Sequence, residues 1–220
     1  MAVTGAELVA EIRTTSDLQA SRFCTDAELL LMANEVLAEL YDTLVMAREG
    51  YFQTSATLTL VNNASNLPTD FYKELAVTSG TAPVLANIPP LESLNDRVNA
   101  NGPAYWIGSR VITFYPVNVV PPSPVTLDYV PNCPVLLTGD NMPVDMERFR
   151  EYVVVGASIK VKTKRSQDAS LLIGRLGMLK TRITAAVTGR KAGPKKVPMP
   201  LKEQGYRNGW FNNRYNRFGY

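Results

Sequence analysis

The chain contains few of the side chains that usually carry out catalysis. None of its 220 residues is a histidine, which excludes a histidine general base, a histidine-activated nucleophile and a histidine metal ligand. The two cysteines, Cys24 and Cys133, have no C-x-x-C neighbour, so neither a zinc site nor a redox motif is supported. Two separate thiols in a reducing compartment are favoured over a disulfide between them. The common glycine motifs for phosphate binding are also missing. We therefore predict no catalytic residues, no cofactor and no metal.

Carboxylates are the remaining candidates for acid–base chemistry. Two of them suffice for a glycosidase, in which one carboxyl group needs a raised pKa. Here Glu28, Glu35, Glu39 and Asp42 lie off the apolar stripe of a predicted helix, and they are most simply its solvated face. No pair stands in an apolar setting, so the sequence disfavours an enzyme.

The C-terminal end of the chain is the segment best suited to binding another molecule. Residues 190–220 hold eight lysines and arginines against one acid, a net charge of +7. The whole chain is +3, so residues 1–189, with 15 basic and 19 acidic side chains, carry −4. Three prolines, four glycines and the lack of apolar periodicity argue against a packed core here. We predict an extended arm.

The arm is rich in aromatic and arginine side chains, which are the usual anchors of binding interfaces. Because ordinary disordered termini are poor in aromatic residues, we predict that the arm docks on a partner. The alternative is a solvated tail with incidental aromatic residues. The predicted anchors are Arg207, Trp210, Phe211, Arg214, Tyr215, Arg217, Phe218 and Tyr220.

A second basic group comprises Lys160, Lys162, Lys164 and Arg165. It falls at the carboxyl end of a predicted helix, where the helix dipole favours cations without any partner. The alternative is a face that contacts DNA phosphates or a neighbouring subunit. The sequence favours the first interpretation and leaves the second open.

Helices are predicted where apolar residues recur at three- and four-residue steps. Two of them begin with a capping box, Thr4 with Glu7 and Thr25 with Glu28, in which two side chains satisfy backbone amides at the helix start. The predicted helices span residues 4–13, 26–49, 145–165 and 168–189.

Between the second and third helices the pattern changes to short alternating strands. No helix-length pattern separates them, so we predict one small antiparallel sheet inserted at residues 53–132. Gly108-Ser109 is predicted as a two-residue hairpin turn, with Gly108 at positive φ. The predicted fold class is α+β: a helical bundle with an inserted small antiparallel β-sheet and an extended C-terminal arm. The core spans residues 1–190 and the arm 191–220. No secretion signal or membrane span is indicated.

Several local strings resemble the head-to-tail adaptor proteins of tailed bacteriophages, also called connector or head-completion proteins. The resemblance spans roughly residues 5–190, and none of the strings is a catalytic signature. The strings are SD at 16–17, TDAEL at 25–29, LPTDF at 67–71, YWI at 105–107, FYP at 114–116, YVP at 129–131 and ERFREYVVVGA at 147–157.

The resemblance implies a structural protein of the virion, located at the capsid–tail junction and present in the host cytoplasm during assembly. It implies a homo-oligomeric ring of roughly twelve copies, a dodecamer, under the portal protein. The ring would also meet a tail or nozzle protein and continue the channel through which genomic DNA passes, with no membrane involved. A C-terminal arm that reaches the portal is implied as well, in agreement with the arm predicted from the residues.

Two further functions stay open. The first is an RNA- or DNA-binding protein that uses the basic aromatic tail to stack on bases and neutralise phosphates. The second, less favoured, is a cell-wall glycosidase. Nucleic-acid binding would weaken steeply as salt rises, whereas attachment to a protein ring would survive.

Overall fold

The structure, a computed structural model, describes residues 3–18, 23–81, 85–93, 102–116 and 121–188. Within these ranges it contains both helices and antiparallel sheets, which confirms the α+β class. The helices are α1 (Gly5–Thr15), α2 (Asp26–Ala47), α3 (Val144–Glu147), α4 (Arg150–Lys164) and α5 (Ser170–Thr188), with a 3₁₀ turn at Glu49–Phe52. The strands are β1 (Thr54–Leu58), β2 (Ala64–Asn66), β3 (Phe71–Ser79), β4 (Ala86–Ile88), β5 (Ala104–Gly108), β6 (Val111–Tyr115) and β7 (Val125–Pro131).

Both predicted capping boxes are formed. At α1 the amide of Glu7 donates to Thr4 Oγ1 at 3.2 Å, and the amide of Thr4 donates to Glu7 Oε2 at 2.8 Å. Thr25 and Glu28 make the same pair of bonds at α2, at 3.2 and 3.0 Å. These bonds satisfy amide groups that a helix start otherwise leaves unpaired. The starts of the first two helices are therefore as predicted.

The prediction of one continuous helix over residues 145–165 is wrong. The segment is divided into α3 and α4, because Phe149, with φ −106° and ψ 13°, leaves helical geometry. Met146 and Phe149 on either side of the break are both buried in the same core. Apolar spacing alone could not reveal the break, since both pieces contribute to one apolar stripe.

The prediction of one inserted sheet is also wrong, because the insert contains two. One has the strand order β1-β7-β3-β4 and the other β2-β6-β5, and all described pairs of strands are antiparallel. Their buried residues form one cluster that includes Val77, Ile112, Phe114 and Leu127. Alternation shows which strand face is buried but not which strand is the partner, so the division into sheets is invisible in the sequence.

The hairpin turn between β5 and β6 lies one residue later than predicted. Ser109 and Arg110 are its central residues, with φ of 51° and 64°, whereas Gly108 still pairs with Val111 in the ladder. Positive φ at both central positions is typical of a type I′ turn rather than the type II′ turn expected from the glycine.

The helices pack on a second core, separate from that of the sheets. Helix α4 contacts α1, α2 and α5. At its crossing with α2, a Cβ on Gly156 would lie 2.6 Å from Val36 Cγ1, so the two backbones come close only because this residue is glycine. Tyr41 on α2 donates a hydrogen bond to the carbonyl of Pro131 and stacks on Phe52, with ring centroids 4.4 Å apart. These contacts attach the sheets to the helices.

The predicted arm at residues 191–220 lies outside the described residues, and its division from the core stays a prediction. Among the helices that the structure describes, none is both long and apolar enough to cross a membrane.

Candidate interaction surfaces

The four predicted basic residues of α4 lie together at its carboxyl end, and three of them face acids from other elements. Lys160 Nζ lies 2.8 Å from Glu35 Oε2 and 3.4 Å from Glu39 Oε1. Lys164 Nζ lies 3.0 Å from Glu28 Oε1. Three acids of the predicted solvated face of α2 therefore meet the cations of α4, and two of them, Glu35 and Glu39, are exposed as predicted. Lys160 and Glu35 are 125 positions apart in the sequence.

The remaining members of this cluster also have partners within the chain. Lys162 Nζ lies 3.8 Å from Asp17 Oδ2, and Arg165 Nη1 donates to the carbonyl of Ser16 at 3.4 Å. The charged ends of Lys164 and Arg165 lie 5.5 and 5.9 Å from the centre of the Phe23 ring. The cations thus link α4 to α2 and to the end of α1.

These ion pairs shift the pKa values of their members so that the charged form of each is favoured. The Thr25 amide, followed by the Lys164 ammonium, lowers the pKa of Glu28. The hydrogen bond to Glu28 raises the pKa of Lys164. Burial acts to lower the pKa of Lys160, but Glu35 and Glu39 together outweigh it and leave the pKa raised. Contact of this cluster with DNA or a neighbour stays a prediction, and any such partner would compete with these internal acids.

The amino-terminal end of α4 carries a cation in a different setting. The guanidinium of Arg148 lies 4.4 Å from the centre of the Phe149 ring and 5.6 Å from that of Tyr51. It also donates a hydrogen bond to the Tyr51 hydroxyl. In the part of the chain that the structure describes, Arg148 makes no ion pair with a carboxylate. Two aromatic rings therefore hold this charge in place, and no described carboxylate neutralises it.

Arg148 borders a groove of about 200 Å³ between the start of α4 and the last turns of α5. Among the described residues that line it, the single acid is Glu151, which is bound to Arg175 at 2.5 Å. The α4 terminus has no side-chain cap, and the helix dipole adds positive character there. The groove is lined by Arg148, Phe149, Glu151, Tyr152, Leu179, Arg182, Ile183 and Ala186.

A rigid loop with exposed aliphatic side chains lies beside α1 and α2. We call residues 134–140 the knob loop. Asn34 of α2 binds the backbone of Leu136 twice, with Nδ2 donating to its carbonyl at 3.0 Å and Oδ1 accepting from its amide at 2.9 Å. The amides of Gly5 and Ala6 donate to the carbonyls of Asp140 and Thr138. A Cβ on Gly5 would lie 2.4 Å from the Leu137 carbonyl oxygen, so glycine is required for this close contact.

Sequence reasoning missed the groove and the knob loop. Arg148 and Arg182 are 34 positions apart, and nothing local indicates that they border one groove. Asn34 was a usable signal, because a polar side chain beside an apolar helix stripe often has a specific partner. The predicted anchors of the arm, from Arg207 to Tyr220, all lie outside the described residues.

The described side chains offer little for catalysis. Within the parts of the chain that the structure places, no group of three or more cysteine and acidic residues is arranged to hold a metal ion. Cys24 and Cys133 are free thiols, and burial raises the pKa of Cys133 to about 11, which leaves it protonated and unreactive at neutral pH. The carboxyl groups with a clearly displaced pKa, those of Glu7, Glu28 and Asp168, are all displaced downward. A glycosidase acid needs the opposite displacement.

Comparison with known proteins places the chain in a family. A search of curated proteins finds none that matches it. The family model of the SU10 adaptor protein matches residues 3–197, which covers all the described helices and both sheets. The resemblance to phage head-to-tail adaptors is thereby confirmed, and the chain belongs to the SU10 adaptor protein family.

Proposed function

We propose that the protein forms a ring under the portal, joins the capsid to the tail and continues the DNA channel. The observation that carries this proposal is the family match over residues 3–197. The lack of histidine and the downward pKa displacement of Glu7, Glu28 and Asp168 also favour a structural role over an enzymatic one. The proposed partners are the portal, a tail or nozzle protein and further copies of the chain, in a ring of roughly twelve.

The C-terminal arm attaches the ring to the portal. Trp210, Phe211, Tyr215 and Phe218 would supply the buried area, because large rigid rings dominate interface energies at about 2 kcal/mol or more each when central. Arg207, Arg214 and Arg217 would orient the arm by forked pairing with portal carboxylates.

Assembly of the ring requires the portal as a template. The arm must become ordered on binding, and that entropic cost is offset only when the partner surface is present. The free protein is then a monomer or a weak oligomer. A stable dodecamer of the free protein at micromolar concentration would contradict this part of the proposal.

The channel wall is polar or acidic over at least part of its surface. Residues 1–189 carry a net charge of −4, and a genome that slides cannot be held by many phosphate contacts. The ion pairs of Lys160 and Lys164 fit this view, because they reduce the positive charge presented by α4. A map with Lys160, Lys162, Lys164 and Arg165 all bound to DNA in the channel would contradict it.

Nucleic-acid binding by the arm is the second candidate function. The arm's charge of +7 and its interleaved aromatic residues favour it, since arginine and aromatic side chains together bind single strands. It differs from the first candidate in its salt dependence and in needing no portal.

The double variant Trp210→Ala/Phe211→Ala tests the two candidates. We expect an unchanged circular dichroism spectrum, because the described core does not include these residues, and loss of co-sedimentation with the portal. The matched control is Asn212→Ala/Asn213→Ala, which alters adjacent polar positions and should bind as wild type does. Unchanged portal binding combined with lost RNA binding would instead establish the second function.

A further inference from the structure

We propose that the knob loop of one copy inserts into the groove between α4 and α5 of the next copy in the ring. This inference rests on the proposed ring and specifies which surfaces meet within it. It concerns described residues alone and is independent of how the arm meets the portal.

The knob loop presents aliphatic side chains that a lone subunit leaves in water. Val135 and Leu137 are 70% and 64% exposed, whereas Leu136 between them is only 3% exposed. Val135 and Leu137 therefore both lie on the solvent side of the loop, whereas Leu136 faces the protein. Asn34 and the start of α1 fix the backbone of this loop. A rigid exposed apolar surface binds with little loss of conformational entropy and is typical of an interaction site.

The size of the groove fits a side chain better than a small-molecule ligand. Its volume is about 200 Å³. A cavity of about 150 Å³ accommodates a benzene molecule, whereas ligand pockets usually begin at about 300 Å³. One or two aliphatic side chains therefore fill it, against the buried surfaces of Phe149, Leu179 and Ile183.

The charges of the two surfaces are complementary. Arg148 and Arg182 border the groove, and neither makes an ion pair within the described ranges. The knob loop ends in the exposed residue Asp140, whose Oδ2 accepts from the Leu137 amide at 2.9 Å. A carboxylate beside an apolar knob matches a groove in which two arginines lie next to apolar side chains, since opposite charges at an interface rim fix its register.

The two surfaces lie on different flanks of the subunit, as a ring requires. The adjacent α4 residues Arg150 and Glu151 pair with Glu11 of α1 and Arg175 of α5, respectively. Successive residues of a helix point about 100° apart, so α1 and α5 occupy different sides of α4. The knob loop is bonded to α1 and the groove is formed by α5. Contact between two different surfaces of identical subunits is head-to-tail, the geometry that closes into rings.

Crosslinking of introduced cysteines tests the proposal. In a Cys133→Ser background, where the remaining native thiol, Cys24, is buried, Leu137→Cys and Ala186→Cys are prepared separately, mixed, assembled on portal rings and treated with a short bis-maleimide. We expect a 137–186 crosslink to be the main product, identified by mass spectrometry of peptides. The matched control replaces Ala186→Cys by Gly174→Cys, on the same helix but outside the groove lining, and should give much less product.

A further variant tests the charged rim without disturbing either loop or core. Arg182→Glu should lower the 137–186 yield about two- to fivefold, as expected for loss of an exposed ion pair, whereas Lys180→Glu should leave it unchanged. Rings formed on the portal by the mixture of Leu137→Cys and Ala186→Cys subunits without the 137–186 crosslink would overturn this inference alone. If wild-type protein forms no ring on the portal, the proposed function fails as well. A crosslink from Leu137→Cys to residues of the arm, or mainly to a second Leu137→Cys, would also overturn the inference.

Discussion

The two ends of helix α4 carry cations in opposite situations. At the carboxyl end, Lys160 and Lys164 lie 2.8 and 3.0 Å from Glu35 and Glu28, at the terminus where the helix dipole already favours positive charge. At the amino end, Arg148 is stacked on two aromatic rings, without a carboxylate among its described contacts. The dipole disfavours a cation there.

This contrast separates charge that stabilises the fold from charge that is available to a partner. The basic residues that stabilise the fold are numerous and conspicuous in the sequence, yet the acids that pair with them come from α2 and the end of α1. Arg148 is inconspicuous in the sequence, but it is held in place beside a groove and makes no ion pair with any carboxylate that the structure describes. Pairing and preorganisation, rather than the number of basic residues, indicate where a partner binds.

The packing of α4 on α2 holds both ends in position, and changing it should have the largest effect. Gly156→Ala places a Cβ 2.6 Å from Val36 Cγ1, and overpacking of this kind costs about 1–3 kcal/mol. For a chain of this size that lowers the melting temperature by roughly 2–4 °C per kcal/mol. The measurement is thermal unfolding followed by circular dichroism.

Gly174→Ala is the matched control for Gly156→Ala. A Cβ at Gly174 of α5 meets nothing within 4 Å, and replacing glycine by alanine inside a helix gains about 1 kcal/mol. We expect a melting temperature equal to or above that of wild type. A Gly156→Ala variant as stable as Gly174→Ala would show that the close approach to Val36 does not matter.

Arg148→Ala should affect assembly more than stability. The variant loses its contacts with Phe149 and Tyr51, worth about 0.5–1 kcal/mol in unfolding free energy. It also loses a positive charge of the groove, so rings on the portal should form with reduced occupancy, measured by native mass spectrometry. Occupancy equal to that of wild type would show that Arg148 does not contribute to the interface between copies.

Lys160→Gln should affect stability more than assembly, the reverse of Arg148→Ala. It removes the partner of Glu35 and Glu39, and such partly exposed pairs contribute about 0.2–1 kcal/mol. Urea unfolding should show this small loss, while occupancy on the portal stays unchanged. If Lys160→Gln abolished assembly and left stability intact, the distinction between the two ends of α4 would be wrong.

Glu28→Gln should change the pH dependence of stability. The Thr25 amide and then the Lys164 ammonium lower the pKa of Glu28 in the folded state, so its stabilisation is present above the unfolded pKa of about 4.3. It is lost as the pH falls through the lowered folded value. Wild type should therefore melt above the variant at pH 7, and this difference should shrink at pH 3.

Lys164→Gln is the control for that pH dependence. It removes the ammonium of the ion pair but keeps the Thr25 amide, which is the largest single cause of the lowered pKa. Part of the difference in melting temperature between pH 7 and pH 3 should therefore remain. If both variants lost the same part of the pH dependence, the ion pair rather than the Thr25 amide would be its cause.

The sequence predicts local features of this fold well and contacts between distant segments poorly. The capping boxes at Thr4 and Thr25 were predictable because all their atoms lie within four residues. The break at Phe149, the division into two sheets and the Lys160–Glu35 pair all depend on neighbours distant in the sequence. Apolar periodicity predicts that a face is buried without indicating which element covers it.

The same difference between local features and distant contacts applies to the candidate site. The basic residues of α4 and the solvated acids of α2 were both found from their spacing, whereas their pairing with one another was not predicted. The groove at Arg148 and the knob loop went unpredicted, because each is assembled from segments that only the folded chain brings together.

The most direct test of the account is a native mass measurement of the protein alone, the portal alone and their mixture. The account predicts a monomer or weak oligomer for the free protein, and a discrete complex with a fixed number of copies on each portal ring. The same mixture made with a chain lacking residues 194–220 should show unmodified portal rings, although the truncated chain stays folded. A portal mass that does not change with the full-length protein, or equal binding by the truncated chain, would contradict it.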